Sequence, residues 1–178
     1  MINTTATEYK EVISLCKDIF IKKTKDYGTA WRILRLPSIT DQIFIKAQRI
    51  RSIQDKGTQK VADDIRSEFI GIINYSIIAL IQIQLENDQR MELSPEDVEK
   101  WYSQEADTTF HLLLNKNHDY GEAWREMRIS SMTDIILMKL LRVKQIEDNK
   151  GQTVISEGVD ANYRDMINYA VFCLIKLK

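Results

Sequence analysis

The chain contains the same unit twice, and this duplication restricts its fold more than any other sequence feature. Residues 26–53 align without a gap on residues 119–146, and 14 of these 28 positions are identical. Both copies carry Asp-Tyr-Gly-x-Ala-Trp-Arg, and after one inserted residue Ile-Asn-Tyr at 73–75 matches Ile-Asn-Tyr at 167–169. A single small repeat rarely buries its apolar face alone, so we expect the two copies to pack on each other.

Each copy has the pattern of three helices. Six Gly and two Pro among 178 residues favour long helices over a turn-rich β-protein. Ser94 followed by Pro95 is a helix start, and Gly28 and Gly121 supply a positive-φ stop after Asp-Tyr. The sequence predicts helices at 7–25, 38–54 and 61–86, and again at 94–117, 131–148 and 157–178. The predicted fold is all-α: two tandem three-helix repeats, 1–88 and 94–178, packed as one pseudo-twofold helical bundle.

The composition indicates a soluble globular protein. There are 25 Lys and Arg against 26 Asp and Glu, a net charge of −1, so no overall field attracts nucleic acid, which we do not expect as a partner. Asn and Gln interrupt the most apolar run, residues 69–85, which predicts a buried helix and no membrane span. The N-terminus lacks a signal-peptide pattern, and Cys16 and Cys173 look like reduced thiols. We expect a cytoplasmic protein with a small nucleotide as partner, and a homodimer is left open.

Helix two carries two cations on or beside its apolar face in both copies. At 100° per residue, Lys46 falls inside the apolar arc and Arg49 falls at its edge. Lys139 and Arg142 occupy the same two positions in the second copy. A lysine in a core-facing stripe costs several kcal/mol unless it is paired or opens onto a cleft. The sequence therefore predicts either a partner or a ligand for these cations.

Helix three of the second copy supplies acids. Asp165 and Asn168 are the odd polar residues of an apolar helix and share a face, with Glu157 two turns earlier on the same side. Asp160 lies about 140° around the helix from Asp165. Carboxylate oxygens and substrate phosphates are the ligands that Mg²⁺ prefers. This predicts a Mg²⁺ site made of Glu157, Asp160 and Asp165.

The first copy is the degenerate one in this interpretation. It keeps Asn74 in place of Asn168, but Gly71 replaces Asp165. Asp64, two turns before Gly71, could offer the carboxylate instead. We therefore expect the second copy to carry the better site.

Together these residues predict a nucleotide- or phosphate-binding site. Lys and Arg side chains would hold phosphates, and Trp124 or Tyr120 would stack on a base. The predicted ligand-binding residues of the second copy are Asp119, Tyr120, Trp124, Arg125, Arg128, Lys139, Arg142 and Asn168, and those of the first copy are Asp26, Tyr27, Trp31, Arg32, Lys46, Arg49 and Asn74.

The alternative is that the same residues are structural. Lys139 and Asp165 would then form a buried ion pair that orients helix two on helix three, Asn168 would belong to a hydrogen-bond network, and Trp124 would be core. The protein would be a non-catalytic scaffold or adaptor. A closed ion pair favours this alternative, whereas an open cleft between helices two and three favours ligand binding.

The segments Lys25-Asp26-Tyr27-Gly28-x-Ala30-Trp31 and His118-Asp119-Tyr120-Gly121-x-Ala123-Trp124 resemble a known family. So do Lys139-x-x-Arg142 and Asp165-Met166-Ile167-Asn168-Tyr169. The family is the first of the nucleotide modification associated domains, and the resemblance covers most of the chain as two tandem copies. It implies a link to the metabolism of modified nucleotides.

A more distant similarity is to all-α nucleoside triphosphate pyrophosphohydrolases of the MazG type, which implies a Mg²⁺-dependent hydrolase. The paired Glu-x-x-Glu that those enzymes carry on the second helix is missing here, where that helix carries Lys and Arg.

Overall fold

The structure is a computed structural model that describes residues 4–57, 64–154 and 156–178. These residues form six α-helices and two short 3₁₀ helices and include no β-strand. The α-helices are α1 (Thr4–Tyr27), α2 (Leu36–Lys56), α3 (Ile65–Gln84), α4 (Pro95–Tyr120), α5 (Ile129–Asp148) and α6 (Val159–Lys176). The 3₁₀ helices, Ala30–Ile33 and Ala123–Glu126, follow α1 and α4. The predicted all-α fold with two three-helix repeats is confirmed.

Helix ends follow the local sequence signals where these are strong. The hydroxyl of Ser94 accepts a hydrogen bond from the backbone N–H of Asp97 at 3.2 Å and caps α4, whose first residue is Pro95. Gly28 and Gly121 follow α1 and α4 with φ angles of 63° and 64°, a conformation that a Cβ atom disfavours. Both predicted signals are confirmed.

The second helix of each repeat begins earlier than predicted. α2 and α5 start at Leu36 and Ile129, two residues before Ser38 and Ser131, and the residue before each helix makes no side-chain cap bond. Leu36 and Ile129 pack against the core. Apolar burial of this first residue, and not a serine cap, therefore fixes where the helix begins.

The third helices start later than predicted. The carboxylate of Asp64 accepts a hydrogen bond from the N–H of Ser67 at 2.9 Å and caps α3, and the predicted start at Val61 lies outside the described residues. α6 begins at Val159, two residues after Glu157. Asp64 therefore stabilises a helix terminus and does not supply a carboxylate to α2.

α3 and α6 form the centre of the bundle. They pack against each other, α2 packs against α3, α5 packs against α6, and α2 also packs against α5. Of the described helices, α3 alone is long and apolar enough to span a membrane, and 61% of that stretch is buried in the protein. The bundle core accounts for these apolar residues.

The two repeats exchange hydrogen bonds through their first helices. The Tyr9 hydroxyl of α1 donates to Asn168 Oδ1 of α6 at 2.7 Å, and the equivalent Tyr102 hydroxyl of α4 donates to Asn74 Oδ1 of α3 at 2.8 Å. All four side chains are buried, and burial raises the pKa of both tyrosines. Each repeat therefore completes the interior of the other, which fits a pseudo-twofold bundle.

The α2–α5 contact repeats the same symmetry at the surface. Arg51 of α2 pairs with Asp134 of α5 at 3.6 Å, and Lys144 of α5 pairs with Asp41 of α2 at 3.3 Å. These two pairs occupy equivalent positions and are related by the pseudo-twofold axis.

Candidate functional site

One carboxylate joins two lysines in the second repeat. Asp165 Oδ1 accepts from Lys116 Nζ of α4, and Asp165 Oδ2 accepts from Lys139 Nζ of α5, both at 2.8 Å. Asp165 is only 8% exposed. Burial alone raises the pKa of Asp165, but the two lysine hydrogen bonds outweigh it and hold this pKa below its ordinary value. Both oxygens of this carboxylate are thus occupied by lysines of the protein itself.

The first repeat has both lysines without that carboxylate. Lys23 of α1 and Lys46 of α2 are the equivalents, and Gly71 of α3 replaces the aspartate. The stem of Lys46 lies over Gly71, where an added Cβ would be 2.8 Å from Lys46 Cδ. Lys46 Nζ is 3.8 Å from Glu68 Oε2. Lys23 is exposed and has no ion-pair partner within the described part of the chain.

Glu68 is the acid that the sequence analysis missed. It is 8% exposed and accepts a hydrogen bond from Arg49 at 2.6 Å. It lies three residues before Gly71 on the same face of α3, a spacing that could have identified it in place of Asp64. The second repeat has Asn162 at the equivalent position. In each repeat, therefore, one acid on the third helix pairs with a cation of the second helix. The two acids, Glu68 and Asp165, lie at positions that differ by about one helical turn.

The first repeat contains a cavity of about 710 Å³, which we call the first-repeat cavity. It lies among α1, the first 3₁₀ helix, α2 and α3. Its polar and charged lining residues are Lys23, Thr24, Tyr27, Lys46, Ser67, Glu68, Asn74 and Tyr75, and most of the others are apolar, including Phe20, Trp31 and Ile78. Such a mixture of apolar walls and few charges is typical of small-molecule sites.

The tryptophans of the repeated motif have different neighbours in the two repeats. Trp124 stacks on Phe172 with ring centroids 4.2 Å apart and planes 4° apart. The equivalent of Phe172 in the first repeat is the smaller Ile78, which lines the first-repeat cavity together with Trp31. The indole nitrogens of both tryptophans are buried without an acceptor among the described residues, so this feature does not distinguish the repeats.

A second cavity, of about 620 Å³, lies between α5, the start of α6 and the loop before it. Arg142 lines this second-repeat cavity and has no ion-pair partner among the residues described, because Asn162 stands where the first repeat has its acid. Lys139 and Glu157 line it as well, and its described lining residues include no aromatic ring. Its chemistry is that of a polar anion site without a stacking surface.

Arg32 connects the first 3₁₀ helix to α3 and to the segment between the repeats. Its guanidinium donates to the side chain of Gln82 and to the backbone carbonyls of Asp88 and Arg90. These bonds use its donors within the protein, so we do not place Arg32 in the ligand site.

Arg125 has a similar role in the second repeat. It donates to the Glu8 carboxylate of α1 at 2.7 Å, and its guanidinium lies 4.4 Å from the ring centroid of Trp124. Arg128 is exposed at the start of α5 and does not line either cavity. The loop arginines predicted to hold phosphate therefore lie outside both cavities.

The remaining predicted ligand residues fall into two groups. Tyr27 and Tyr120 are 72% and 76% exposed, and Tyr27 lines the first-repeat cavity. Asp26 and Asp119 are exposed in the last turns of α1 and α4. Asn74 and Asn168 are interior and bind the tyrosines described above, so the hydrogen-bond network that was the alternative for Asn168 is present.

The three acids predicted to bind Mg²⁺ do not fit a metal ion as they are placed. Both carboxylate oxygens of Asp165 are occupied by lysines, and Glu157 and Asp160 are exposed. Within residues 4–57, 64–154 and 156–178, no group of three His, Cys, Asp or Glu side chains is positioned to hold a metal ion.

The fold and the repeated lysine–acid clusters define an all-α tandem-repeat protein with a polar cluster between the helices of each repeat. The chain belongs to the family described as nucleotide modification associated domain 1, which matches residues 23–83 and 116–177, more than half of the chain. Each matched segment runs from the end of the first helix of a repeat through its third helix, which confirms the resemblance in both copies. No curated protein and no solved structure matches the chain. The family match does not show the distant MazG-type similarity, which stays a prediction.

Proposed function

We propose that this protein binds a small nucleoside phosphate in the first-repeat cavity. The observation that carries this proposal is the replacement of Asp165 by Gly71 between two equivalent lysines. In the second repeat a carboxylate of the chain joins those lysines. In the first repeat Lys23 and Lys46 line a cavity instead, and an anion from a ligand would supply the missing charge.

The walls of the first-repeat cavity favour an anion that also carries a ring. Trp31, Tyr27 and Tyr75 line it, and aromatic side chains stack on nucleobases without regard to sequence. The second-repeat cavity offers Arg142 but no ring among its described lining residues. The family description, nucleotide modification associated, fits the same ligand class. The proposed site lies in the first repeat, whereas the sequence predicted the better site in the second repeat.

These contacts support the binding of a ligand. The alternative function, a non-catalytic scaffold, is favoured by the closed ion pair of Asp165 in the second repeat. In the second repeat the lysines are joined by a carboxylate of the chain, whereas in the first repeat the equivalent lysines line a cavity. Measured ligand affinity decides between the two functions.

The test is isothermal titration of the purified chain with nucleoside mono-, di- and triphosphates, in EDTA and again with Mg²⁺. We expect at least one nucleotide to bind in EDTA, and Lys23→Gln to weaken it roughly tenfold, since a charge-assisted hydrogen bond is worth about 1.5 kcal/mol or more. Lys116→Gln is the matched control in the second repeat and should leave the affinity unchanged. No binding under either condition, or equal losses in the two variants, would overturn the proposal.

A further inference from the structure

The duplication shows what fills the equivalent space when it is closed. Two side chains of α6 have smaller equivalents on α3: Asp165 becomes Gly71, and Phe172 becomes Ile78. Both Gly71 and Ile78 line the first-repeat cavity. The second repeat thus contains, as parts of its own chain, an anionic group and a flat ring at the two positions where the first repeat has a glycine and an isoleucine.

The anionic position is defined by two contacts. Each carboxylate oxygen of Asp165 takes one lysine ammonium at 2.8 Å. A phosphate monoester presents oxygens that can bridge the equivalent two cations of the first repeat, Lys23 and Lys46. Glu68 is 3.8 Å from Lys46 Nζ, beyond hydrogen-bond distance, and is hydrogen-bonded by Arg49 at 2.6 Å.

The ring position is defined by two aromatic contacts. Phe172 stacks on Trp124 at 4.2 Å and meets Tyr169 edge to face, with centroids 6.1 Å apart and planes at 87°. The equivalents of these partners, Trp31 and Tyr75, both line the first-repeat cavity. A planar ligand ring on Trp31 would therefore find a stacking face and a perpendicular neighbour, the two geometries that aromatic pairs prefer.

The spacing of the two positions selects the ligand. Gly71 and Ile78 are seven residues apart on α3, which is about 10 Å along a helix. A ligand that fills both positions carries its ring and its anion on either side of a linker, as ribose separates base and phosphate in a nucleotide. The cavity offers two cations, Lys23 and Lys46, beside the Glu68 carboxylate, so the further charges of a triphosphate would have no partners there.

We infer that the ligand is a nucleoside monophosphate, with its phosphate between Lys23 and Lys46 and its base stacked on Trp31. This inference rests on the proposed function and specifies its ligand. Asp165 and Phe172 are then internal counterparts of the phosphate and the base, and the second repeat is closed to the same ligand.

The first test is a ligand panel on the unchanged chain, measured by titration calorimetry in EDTA. A nucleoside monophosphate should bind at least tenfold more tightly than the nucleoside, ribose 5-phosphate, inorganic phosphate or the corresponding triphosphate. Equal or tighter binding of the triphosphate, or of inorganic phosphate, would overturn the inference while leaving nucleotide or phosphate binding intact. Absence of all nucleotide binding would instead overturn the proposed function.

The second test introduces the residues of the second repeat into the first. Gly71→Asp should weaken monophosphate binding at least tenfold more than Gly71→Asn, because both fill the space and only aspartate brings the competing charge. Ile78→Phe should weaken the monophosphate at least tenfold and leave ribose 5-phosphate unchanged. If the two Gly71 variants lost the same affinity for the monophosphate, the anion would bind elsewhere. If Ile78→Phe kept the affinity of the unchanged chain, the base would bind elsewhere. Thermal melting establishes whether each variant is folded. If a variant does not fold, the ligand panel on the unchanged chain decides whether the ligand is a monophosphate.

Discussion

The cluster of Asp165 with Lys116 and Lys139 predicts a strong asymmetry between two substitutions. Asp165→Asn removes the only carboxylate that both lysines bind in the described structure and leaves two ammonium groups facing each other. Lys139→Met removes one cation and leaves Asp165 paired with Lys116 at 2.8 Å. Removing the shared acid should therefore lower the free energy of unfolding much more than removing one of its two lysine partners.

The magnitude follows from burial. Breaking a buried ion pair by deleting one partner costs about 3–5 kcal/mol. Lys139 has a side chain only 16% exposed, whereas that of Lys116 is 46% exposed and can turn toward water. We expect Asp165→Asn to lower the free energy of unfolding by about 3 kcal/mol, at the low end of this range. Lys139→Met should change it by about 1 kcal/mol or less in either direction, since an apolar replacement of similar volume is tolerated at such positions.

The measurement is urea unfolding of the three proteins at pH 7, with the free energies obtained by linear extrapolation. A loss below about 1 kcal/mol for Asp165→Asn, or equal losses for the two variants, would refute the reasoning.

The same cluster predicts a dependence on pH. The pKa of Asp165 is lower in the folded state than in the unfolded state, where it is about 3.9. The contribution of Asp165 to stability is therefore fully present above the unfolded-state pKa and is lost as the pH falls through the folded-state pKa. The gap in stability between the unchanged chain and Asp165→Asn should therefore narrow below about pH 4. A gap that stays constant from pH 7 to pH 3 would contradict this sign.

Three further substitutions, one of them with a reverse control, test other contacts. Burial raises the pKa of Glu147, so the ionised carboxylate destabilises the folded state once the pH is above that pKa. Glu147→Gln should therefore raise the free energy of unfolding by about 0.5–1 kcal/mol at pH 7 and leave it unchanged near pH 3, where the glutamate is protonated. Gln54 occupies the equivalent position in the first repeat, so Gln54→Glu is the reverse control. If Gln54→Glu stabilised the protein at pH 7, the argument would be contradicted. Tyr9→Phe leaves Asn168 Oδ1 without its donor at 2.7 Å and should cost about 1–3 kcal/mol in urea unfolding; an unchanged midpoint would show that the bond contributes nothing. Gly121→Ala should cost about 1–3 kcal/mol, since φ is 64° and ψ is −142° there, and the melting temperature should fall measurably.

Much of the architecture is local in origin and could be predicted. The Ser94 cap and the glycine that ends α4 act within one turn of the chain, and the duplication required the repeats to share a core. The 3₁₀ helices were missed, because a short 3₁₀ helix lacks the long apolar periodicity that identifies an α-helix.

The site was predicted less completely, because its contacts cross between helices. The sequence identified Lys46, Lys139 and Asp165 by their place in apolar stripes. It did not identify Lys23 or Lys116, which lie near the ends of the first helices, where a lysine is common and gives no signal. Whether a lysine meets a carboxylate depends on how three helices pack, which periodicity on a single helix does not contain.

The duplicated all-α architecture follows from the order of residues alone, since helical periodicity and repeat identity are properties of that order. Which polar residues serve the fold and which line a cavity depends on how the helices pack. Arg32, Arg125 and Asn168 bind other parts of the protein, because the packing of the two repeats brings their partners within hydrogen-bond distance. Asn74 does so as well and also lines the first-repeat cavity. The same packing places Asp165 between two lysines in the second repeat, whereas in the first repeat the stem of Lys46 lies over Gly71, because a side chain fills the space between helices only where the sequence provides one.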